Sequence, residues 1–290
     1  SYKEAAIESA VWISIGLSFT GVIFLIGGDA HGAKAAGEYI SGFLLEKSLS
    51  VDNVFVWAVI FSYFAVPAKY QFRVLFWGIF GALVLRAVFI FAGSALIESF
   101  TVTLAIFGVI LLYTAYKLAF QEESEVDPDK NFVLRMVRKV VPSTNELDGQ
   151  KLFTIQNGKR LATPLFAVLV MVETTDVVFA IDSVPAVYGI TADPYLVFVT
   201  NAFALLGLRA LYFVLQGVLS RLVHLAYGLA IILAFIGTKL VLHWAHGNWS
   251  TVPEISTLWS LGVILGVLMV VTITSLCATR AETPPPQATS

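Results

Sequence analysis

The sequence lacks the residues on which many secreted domains and soluble enzymes depend. It has 290 residues but a single cysteine, Cys277, which excludes an internal disulfide framework and a cysteine metal cluster. Charged residues make up only 13% of the chain, whereas 58% of it is hydrophobic and the mean hydropathy is +0.82. Such a chain is too apolar for an ordinary soluble domain. The composition therefore predicts a polytopic membrane protein.

Motifs for nucleotide hydrolysis and for common catalytic sites are also missing. The sequence has no P-loop, no Ser-His-Asp arrangement and no zinc-protease motif, so we expect a protein that is not an enzyme. Its net charge of −2 gives no electrostatic reason to expect a nucleic-acid partner. We also expect no permanently bound cofactor.

Apolar segments of about 20 residues, the length that crosses a bilayer, recur along the chain. They predict eight spans, near residues 5–27, 37–65, 73–98, 101–120, 162–188, 195–219, 223–246 and 255–277. The expected fold is all-α, with one transmembrane domain over residues 1–280 and a disordered tail over residues 281–290. The polar segment 121–161 is expected to be a cytoplasmic surface linker.

The basic residues indicate the orientation, because cytoplasmic loops are enriched in Lys and Arg. With the linker inside, 12 of the 18 basic residues fall in the cytoplasm, five fall within spans and only Lys34 falls outside. This asymmetry predicts eight spans with both chain ends in the cytoplasm. We expect the protein to be integral to a membrane, and that membrane to be a bacterial inner membrane. Residue 1 is Ser, so we expect that at least an initiator Met has been lost. A further lost span would place the true N-terminus outside.

Two acidic motifs interrupt the second and fifth predicted spans. One runs from Glu46 to Asn53 and the other from Asp176 to Ser183, and each has a second acid six positions after the first. Glu173 adds an acid just before the second motif. Charge within a membrane-length segment costs at least about 2.5–3.5 kcal/mol per group, so both motifs predict a functional site.

An internal repeat relates the two motifs. The segment from Gly81 to Arg86 resembles the segment from Ala204 to Arg209, and Lys117 matches Lys239. Acidic motif, arginine span and lysine-ended span thus recur in the same order, at about 37–120 and 162–246. Three spans are an odd number, so the two units must enter the membrane in opposite directions. We therefore expect a helix bundle with two inverted three-helix repeats, a transporter architecture with a midplane site.

Helix geometry limits how the acids act together. Residues six apart differ by about 120° around a regular helix and by about 9 Å along it, so Glu46 and Asp52 cannot both ligate one ion. Either the helix unwinds between them or they serve different contacts. Pro185 favours a break in the second motif, because it lacks the N–H that would bond the carbonyl of Ile181.

The candidate ligands all carry oxygen, which suits hard divalent cations such as Mn²⁺, Ca²⁺ or Mg²⁺ better than Zn²⁺ or Cu⁺. The predicted metal ligands are Glu46, Asp52, Asn53, Glu173, Asp176, Asp182 and Ser183, with Ser50, Pro185, Arg86 and Arg209 in supporting roles. Converging carboxylates repel, so metal binding should release protons. The competing hypothesis is a set of structural ion pairs with Lys47, Arg86 and Arg209. We expect the arginines to orient the acids or to replace the cation in the empty state.

The two motifs and the segment Gly207 to Tyr212 make the sequence similar to the TerC family of integral membrane proteins, over roughly Lys3 to Cys277. The resemblance implies inverted three-helix repeats and a link to tellurium resistance and manganese export. It is the resemblance that selects Mn²⁺ from the hard cations. It also implies a further span before Ala5, which relatives commonly carry.

Two functions remain open from the sequence. One is a transporter that exports Mn²⁺, in exchange for protons; the other is a scaffold or sensor in a metal-stress membrane complex that carries no flux. Direct tellurite export is a weaker third, because an acidic site repels an oxyanion. The expected partners are the lipid bilayer, a divalent cation and protons. The sequence specifies no oligomeric state.

The orientation can be tested with a cysteine at Lys139, in a variant from which Cys277 has been removed. Because the linker is expected in the cytoplasm, an impermeant thiol reagent added to intact cells should not label this position. The same reagent should label it once the membrane is permeabilised. Rapid labelling in intact cells would reverse the predicted orientation.

Overall fold

The computed structural model describes residues 2–120, 132–215, 224–249 and 251–281. The helices and strands are α1 Tyr2–Gly27, α2 Asp29–Tyr63, α3 Ala68–Ser99, α4 Val102–Phe120, α5 Phe132–Val140, β1 Phe153–Gln156, β2 Lys159–Ala162, α6 Pro164–Tyr188, α7 Pro194–Leu205, α8 Leu208–Leu215, α9 Leu225–Asn248 and α10 Thr257–Ala281. The predicted helical class is thus confirmed. The predicted disordered tail lies outside the described residues, apart from residue 281.

Six of the described helices are long and apolar enough to cross a membrane, or seven if α7 and α8 form one bent span. The sequence predicts eight spans, and the difference is α2, which carries Glu38, Glu46, Lys47 and Asp52. α2 is 35 residues long and packs against α1, α6, α7 and α10. Glu46 is buried among these helices, so this charge is directed at protein and not at lipid. The polarity of α2 is therefore compatible with a span.

α2 and α6 pack in opposite directions. Gly42 of α2 lies against Val187 of α6, and Glu46, one turn later, lies beside Ser183, one turn earlier. Further along, Trp57 of α2 joins the same buried cluster as Leu165, near the start of α6. The two acidic motifs therefore meet side by side in antiparallel helices.

The other members of the expected repeat also contact their counterparts. α3 packs against α7, where Phe91 contacts Tyr195 and Arg86 contacts Asn201, again in antiparallel order. α4 packs closely against α9 through two glycines, Gly108 and Gly237. These pairings are those expected if the units are inverted copies, and the inverted repeat itself stays a prediction.

The second arginine span is broken, which the sequence reading did not anticipate. α7 and α8 meet at an angle of 45°, and Gly207 stands at the break with φ of +77°. A side chain there would also collide with Trp12 of α1. Gly207 is thus required both for its positive φ and for close helix approach. Arg209 follows the break and pairs with Glu8 of α1.

The expected break at Pro185, in contrast, is wrong. α6 continues through Pro185 to Tyr188, and the N–H of Gly189 bonds the Pro185 carbonyl. Pro185 lies in the last turn, so it removes one hydrogen bond without ending the helix at that point.

The linker is more ordered than the predicted surface loop. Its first part, residues 121–131, lies outside the described residues, but α5 and an antiparallel hairpin of β1 and β2 occupy much of the remainder. Gln156 pairs with Lys159, which leaves Asn157 and Gly158 as a two-residue loop, both with positive φ. An Asn-Gly loop of this kind is a strong hairpin signal, and the sequence reading did not use it.

The α4–α9 contact gives a prediction about stability. A Cβ at Gly108 would lie 2.7 Å from the carbonyl oxygen of Gly237, so Gly108→Ala should force the two helices apart. We expect a loss of about 1–3 kcal/mol of unfolding free energy, measured by thermal unfolding in detergent. Gly266→Ala is the matched control, because nothing lies within 4 Å of a Cβ there. Equal unfolding temperatures for the two variants would contradict the close packing.

Candidate functional site

A buried guanidinium connects the two acidic motifs. Arg86 of α3 donates from Nη1 to Glu46 Oε2 of α2 at 2.8 Å, and from Nη2 to Asp176 Oδ1 of α6 at 2.9 Å. Its Nε also donates to Asp176 Oδ2, at 3.3 Å. All three side chains are at most 2% exposed. The first acid of each motif is therefore paired with the same arginine.

Asn201 of α7 completes the environment of Arg86, and the sequence reading missed it. Nη1 of Arg86 donates to Asn201 Oδ1 at 2.9 Å, while Asn201 Nδ2 donates to the carbonyl of Val197. This second bond fixes the amide so that its oxygen is directed at the guanidinium. A polar amide within an apolar span was the available signal. Arg86 thus joins four helices at one depth.

Two apolar clusters lie on either side of this polar layer. One includes Leu45 and Val184, toward the end of the bundle where α2 begins. The other includes Trp57 and Met171, toward the linker. The ion pairs therefore lie in a low-dielectric interior, where attraction is strong and an unpaired charge is costly.

A small cavity of about 60 Å³ lies beside Arg86. Its polar lining residues are Asn53, Arg86, Thr114, Asp182 and Ser183. That volume is enough for a water molecule or a small ion, since one water needs roughly 10–15 Å³ of such space.

Several buried side-chain oxygens near this cavity lack a well-formed hydrogen bond to the described residues. Asn53 Oδ1, Ser183 Oγ and Glu46 Oε1 are buried and have no hydrogen-bond partner of good geometry among the described residues. Ser183 does lie beside the Glu46 carboxylate. Buried polar atoms are normally paired, so these oxygens are available to an additional ligand.

Asp182 lies on this cavity and does not contact Arg86. Its Oδ1 accepts a hydrogen bond from Thr114 Oγ1 of α4 at 2.7 Å. Because α6 is a regular helix, Asp176 and Asp182 face different neighbours, as the spacing of six residues requires. Of the two alternatives that the sequence left open, separate contacts are thus the one found in α6. Thr114 is a further polar residue that the sequence reading missed.

The remaining predicted residues are distributed more widely. Glu173 lies against Gly81 of α3, and its buried Oε2 has no hydrogen-bond partner among the described residues. Ser50 donates its hydroxyl proton to the carbonyl of Glu46. Arg209 pairs with Glu8 of α1 and not with a motif acid. Asp52 belongs to α2, but its side chain lies outside the described part of the chain.

The described residues do not bring three or more His, Cys, Asp or Glu side chains together as a metal site. Glu46 and Asp176 converge, but on the guanidinium of Arg86. Asp182, Asn53 and Ser183 line the adjoining cavity instead. The competing hypothesis of structural ion pairs thus describes the contacts of two acids, and the predicted metal ligation stays a prediction.

These different contacts predict different effects of charge removal. Asp176→Asn leaves the buried Arg86 with only Glu46 as an ionic partner, so it should lose about 3 kcal/mol of unfolding free energy. Asp182→Asn keeps an oxygen for the Thr114 hydroxyl, so it should change stability by less than about 1 kcal/mol. Thermal unfolding of both variants in the same detergent tests this, and similar losses would contradict the assignment.

Comparison with known proteins identifies the family. The sequence model of the integral membrane protein TerC family matches residues 31–283. The chain is 43% identical over 279 residues to the "Uncharacterized membrane protein STKORF319" of Myxococcus xanthus, covering 96% of this chain and 84% of the relative. It is 44% identical over 272 residues to the "Putative membrane-bound redox modulator Alx" of Escherichia coli K12, covering 92% and 82% respectively.

A mycobacterial protein is similar to the chain at a comparable level of identity. The "Uncharacterized membrane protein Mb2742" of Mycobacterium bovis is 42% identical over 293 residues, which cover 97% of this chain and 73% of that protein. No solved structure matches the chain. The acidic motifs, the helical bundle and the match over most of the sequence lead to one conclusion: the chain belongs to the TerC family of integral membrane proteins.

Proposed function

We propose that the protein exports a hard divalent cation, Mn²⁺, across a bacterial inner membrane. The observation that carries the proposal is the oxygen-lined cavity beside the buried Arg86 cluster. Oxygen donors suit Mn²⁺, Ca²⁺ and Mg²⁺ alike. The choice of Mn²⁺ among them rests on the family resemblance.

The charges around the cavity favour a divalent cation. Among the described residues, Glu46, Glu173, Asp176 and Asp182 carry four negative charges when ionised, and Arg86 and Lys117, which lies near Asp182, carry two positive charges. The remaining charge of −2 is equal and opposite to that of the ion. Within a low-dielectric bundle, such a match offsets the cost of removing the cation from water.

Arg86 would act as the internal counter-ion of the unloaded protein. It neutralises Glu46 and Asp176 at 2.8 and 2.9 Å, so the two carboxylates can remain buried without a metal. A cation in the cavity would first meet Asp182, Asn53 and Ser183 and then compete with Arg86 for the carboxylate of Glu46, whose Oε2 holds the guanidinium. The unloaded bundle keeps a charge of −2, so protons would bind where the cation leaves.

Proton exchange is part of the proposal, and Glu173 is the candidate carrier. It lies one turn from Asp176 on α6, and its Oε2 has no hydrogen-bond partner among the described residues. It is not held by Arg86, so protonation would not break the central ion pairs. A proton gradient should then drive Mn²⁺ movement in the opposite direction.

The second candidate function is a scaffold or sensor without flux, which would be compatible with the redox modulation that the name of the Escherichia coli relative describes. A dithiol switch within residues 1–290 is not available, because Cys277 is the single cysteine of this sequence. The structural ion pairs of Arg86 would suit a scaffold as well. The oxygen-lined cavity is what favours transport, because a scaffold gives no reason to gather polar oxygens around a space that can hold an ion.

Flux into proteoliposomes tests the proposal. Purified protein should move Mn²⁺ faster than Zn²⁺, read by a trapped metal-sensitive dye, and faster still with a pH gradient. Asp182→Asn and Asp52→Asn each remove one charge from the acidic set, so each should abolish this flux while the protein stays folded. Asp148→Asn is the control, because Asp148 bonds Lys151 and Thr154 in the linker.

Melting curves of the same samples make the result decisive. Folded wild-type protein without Mn²⁺ flux would favour the scaffold or sensor. Normal flux in folded Asp182→Asn protein would exclude the cavity as the pathway. Flux that is independent of the pH gradient would remove proton exchange but leave cation export in place.

A further inference from the structure

The short helix α5 of the linker has three chemically distinct faces. Leu134 is 1% exposed and packs into the cluster that contains the start of α6. Phe132, Met136 and Val140, spaced four residues apart, are 69%, 52% and 77% exposed. Arg135 and Lys139 are exposed on a neighbouring face, and the helix contains no acidic residue. One face thus anchors α5 to the bundle, and two faces point outward.

The outward faces meet in a shallow hollow. Phe132, Arg135, Met136 and Lys139 line a space of about 300 Å³ on the protein surface. Two apolar and two cationic side chains therefore border the same space. Such a lining combines an apolar wall with donors for an anionic group.

The position of α5 places this hollow at the level of the span ends. α5 packs against α6, and Val137 and Arg138 border a second cavity with Tyr63, the last residue of α2, and Pro164, the first of α6. The ends of apolar spans mark the boundary between hydrocarbon and headgroups. An amphipathic helix with Lys or Arg beside Phe and Met is typical of this interface.

We propose that α5 docks on the bilayer surface and that its hollow binds the headgroup of an anionic phospholipid. Phe132 and Met136 would enter the boundary of the acyl chains, while Arg135 and Lys139 would contact the phosphate. The surface complements this occupant in both charge and polarity. The proposal does not depend on transport, because it concerns only where the linker lies.

The chain itself contains a competing occupant. Residues 122–129 include five acidic residues and immediately precede α5, although they lie outside the described residues. They could neutralise Arg135 and Lys139. Acidic side chains offer no apolar surface to match the exposed stripe of Phe132, Met136 and Val140, whereas a lipid would satisfy both faces. A lipid is therefore the better occupant.

A fluorescent probe on α5 tests the proposal. Met136→Cys, in a Cys277→Ser background, is labelled with an environment-sensitive dye and the full chain is reconstituted in phosphatidylcholine vesicles that contain phosphatidylglycerol. At equal mole fraction, brominated phosphatidylglycerol should quench the dye more than brominated phosphatidylcholine does. Each basic residue contributes roughly a fivefold preference at low salt, so Arg135→Gln with Lys139→Gln should remove most of the difference. Added salt should do the same.

Matched variants separate docking from unrelated effects. Lys159→Gln with Arg160→Gln removes the same charge from the exposed strand β2 and should leave the quenching ratio unchanged. A dye at Glu146→Cys, elsewhere on the linker surface, should be quenched little by either lipid. Absence of quenching at position 136 would mean that protein covers α5, and equal quenching by both lipids would mean that the headgroup charge is not recognised. Either result would overturn the proposal.

Discussion

The guanidinium of Arg86 is the constraint on which the arrangement of the bundle depends. A charge that is 1% exposed inside an apolar protein must be neutralised and hydrogen-bonded, since an uncompensated buried charge costs several kcal/mol. Glu46, Asp176 and Asn201 meet this requirement from three other helices. The register of α2, α3, α6 and α7 is thereby fixed at one depth. Small shifts of any of these helices would leave a buried donor or acceptor unpaired.

The same cluster separates the roles of the two acids on α6. Asp176 faces Arg86, and Asp182, less than two turns later, faces Thr114 and the cavity. A regular helix enforces this separation, because six residues correspond to about 120° of rotation. One carboxylate therefore pairs with the buried arginine, and the other faces the cavity that the proposed cation would enter. A single helix thus combines a structural ion pair with a candidate transport ligand.

The linker is coupled to this helix through its first turns. α5 and the hairpin meet the bundle beside the start of α6, where Leu134 packs with Leu165 and Val168. The linker end of α6 therefore has its position set by two neighbours, the bundle on one side and α5 on the other. If α5 binds the lipid surface as proposed, the bilayer would also help to fix the depth at which the polar layer around Arg86 lies.

The sequence alone determined the membrane class, most of the membrane-length helices, the two acidic motifs and their repeat order, because these depend on local composition and on periodicity along one helix. The Asn-Gly loop of the hairpin, Asn157 and Gly158, is also encoded locally. Only the tertiary structure decided that Arg86 enters the acidic site while Arg209 pairs with Glu8. The two arginines occupy matching positions in the sequence, but Gly207 bends the helix before the second one. The partners Asn201 and Thr114 likewise come from distant segments. Charge pairing across a bundle depends on which helices pack together, and the spacing of residues along one helix does not specify that.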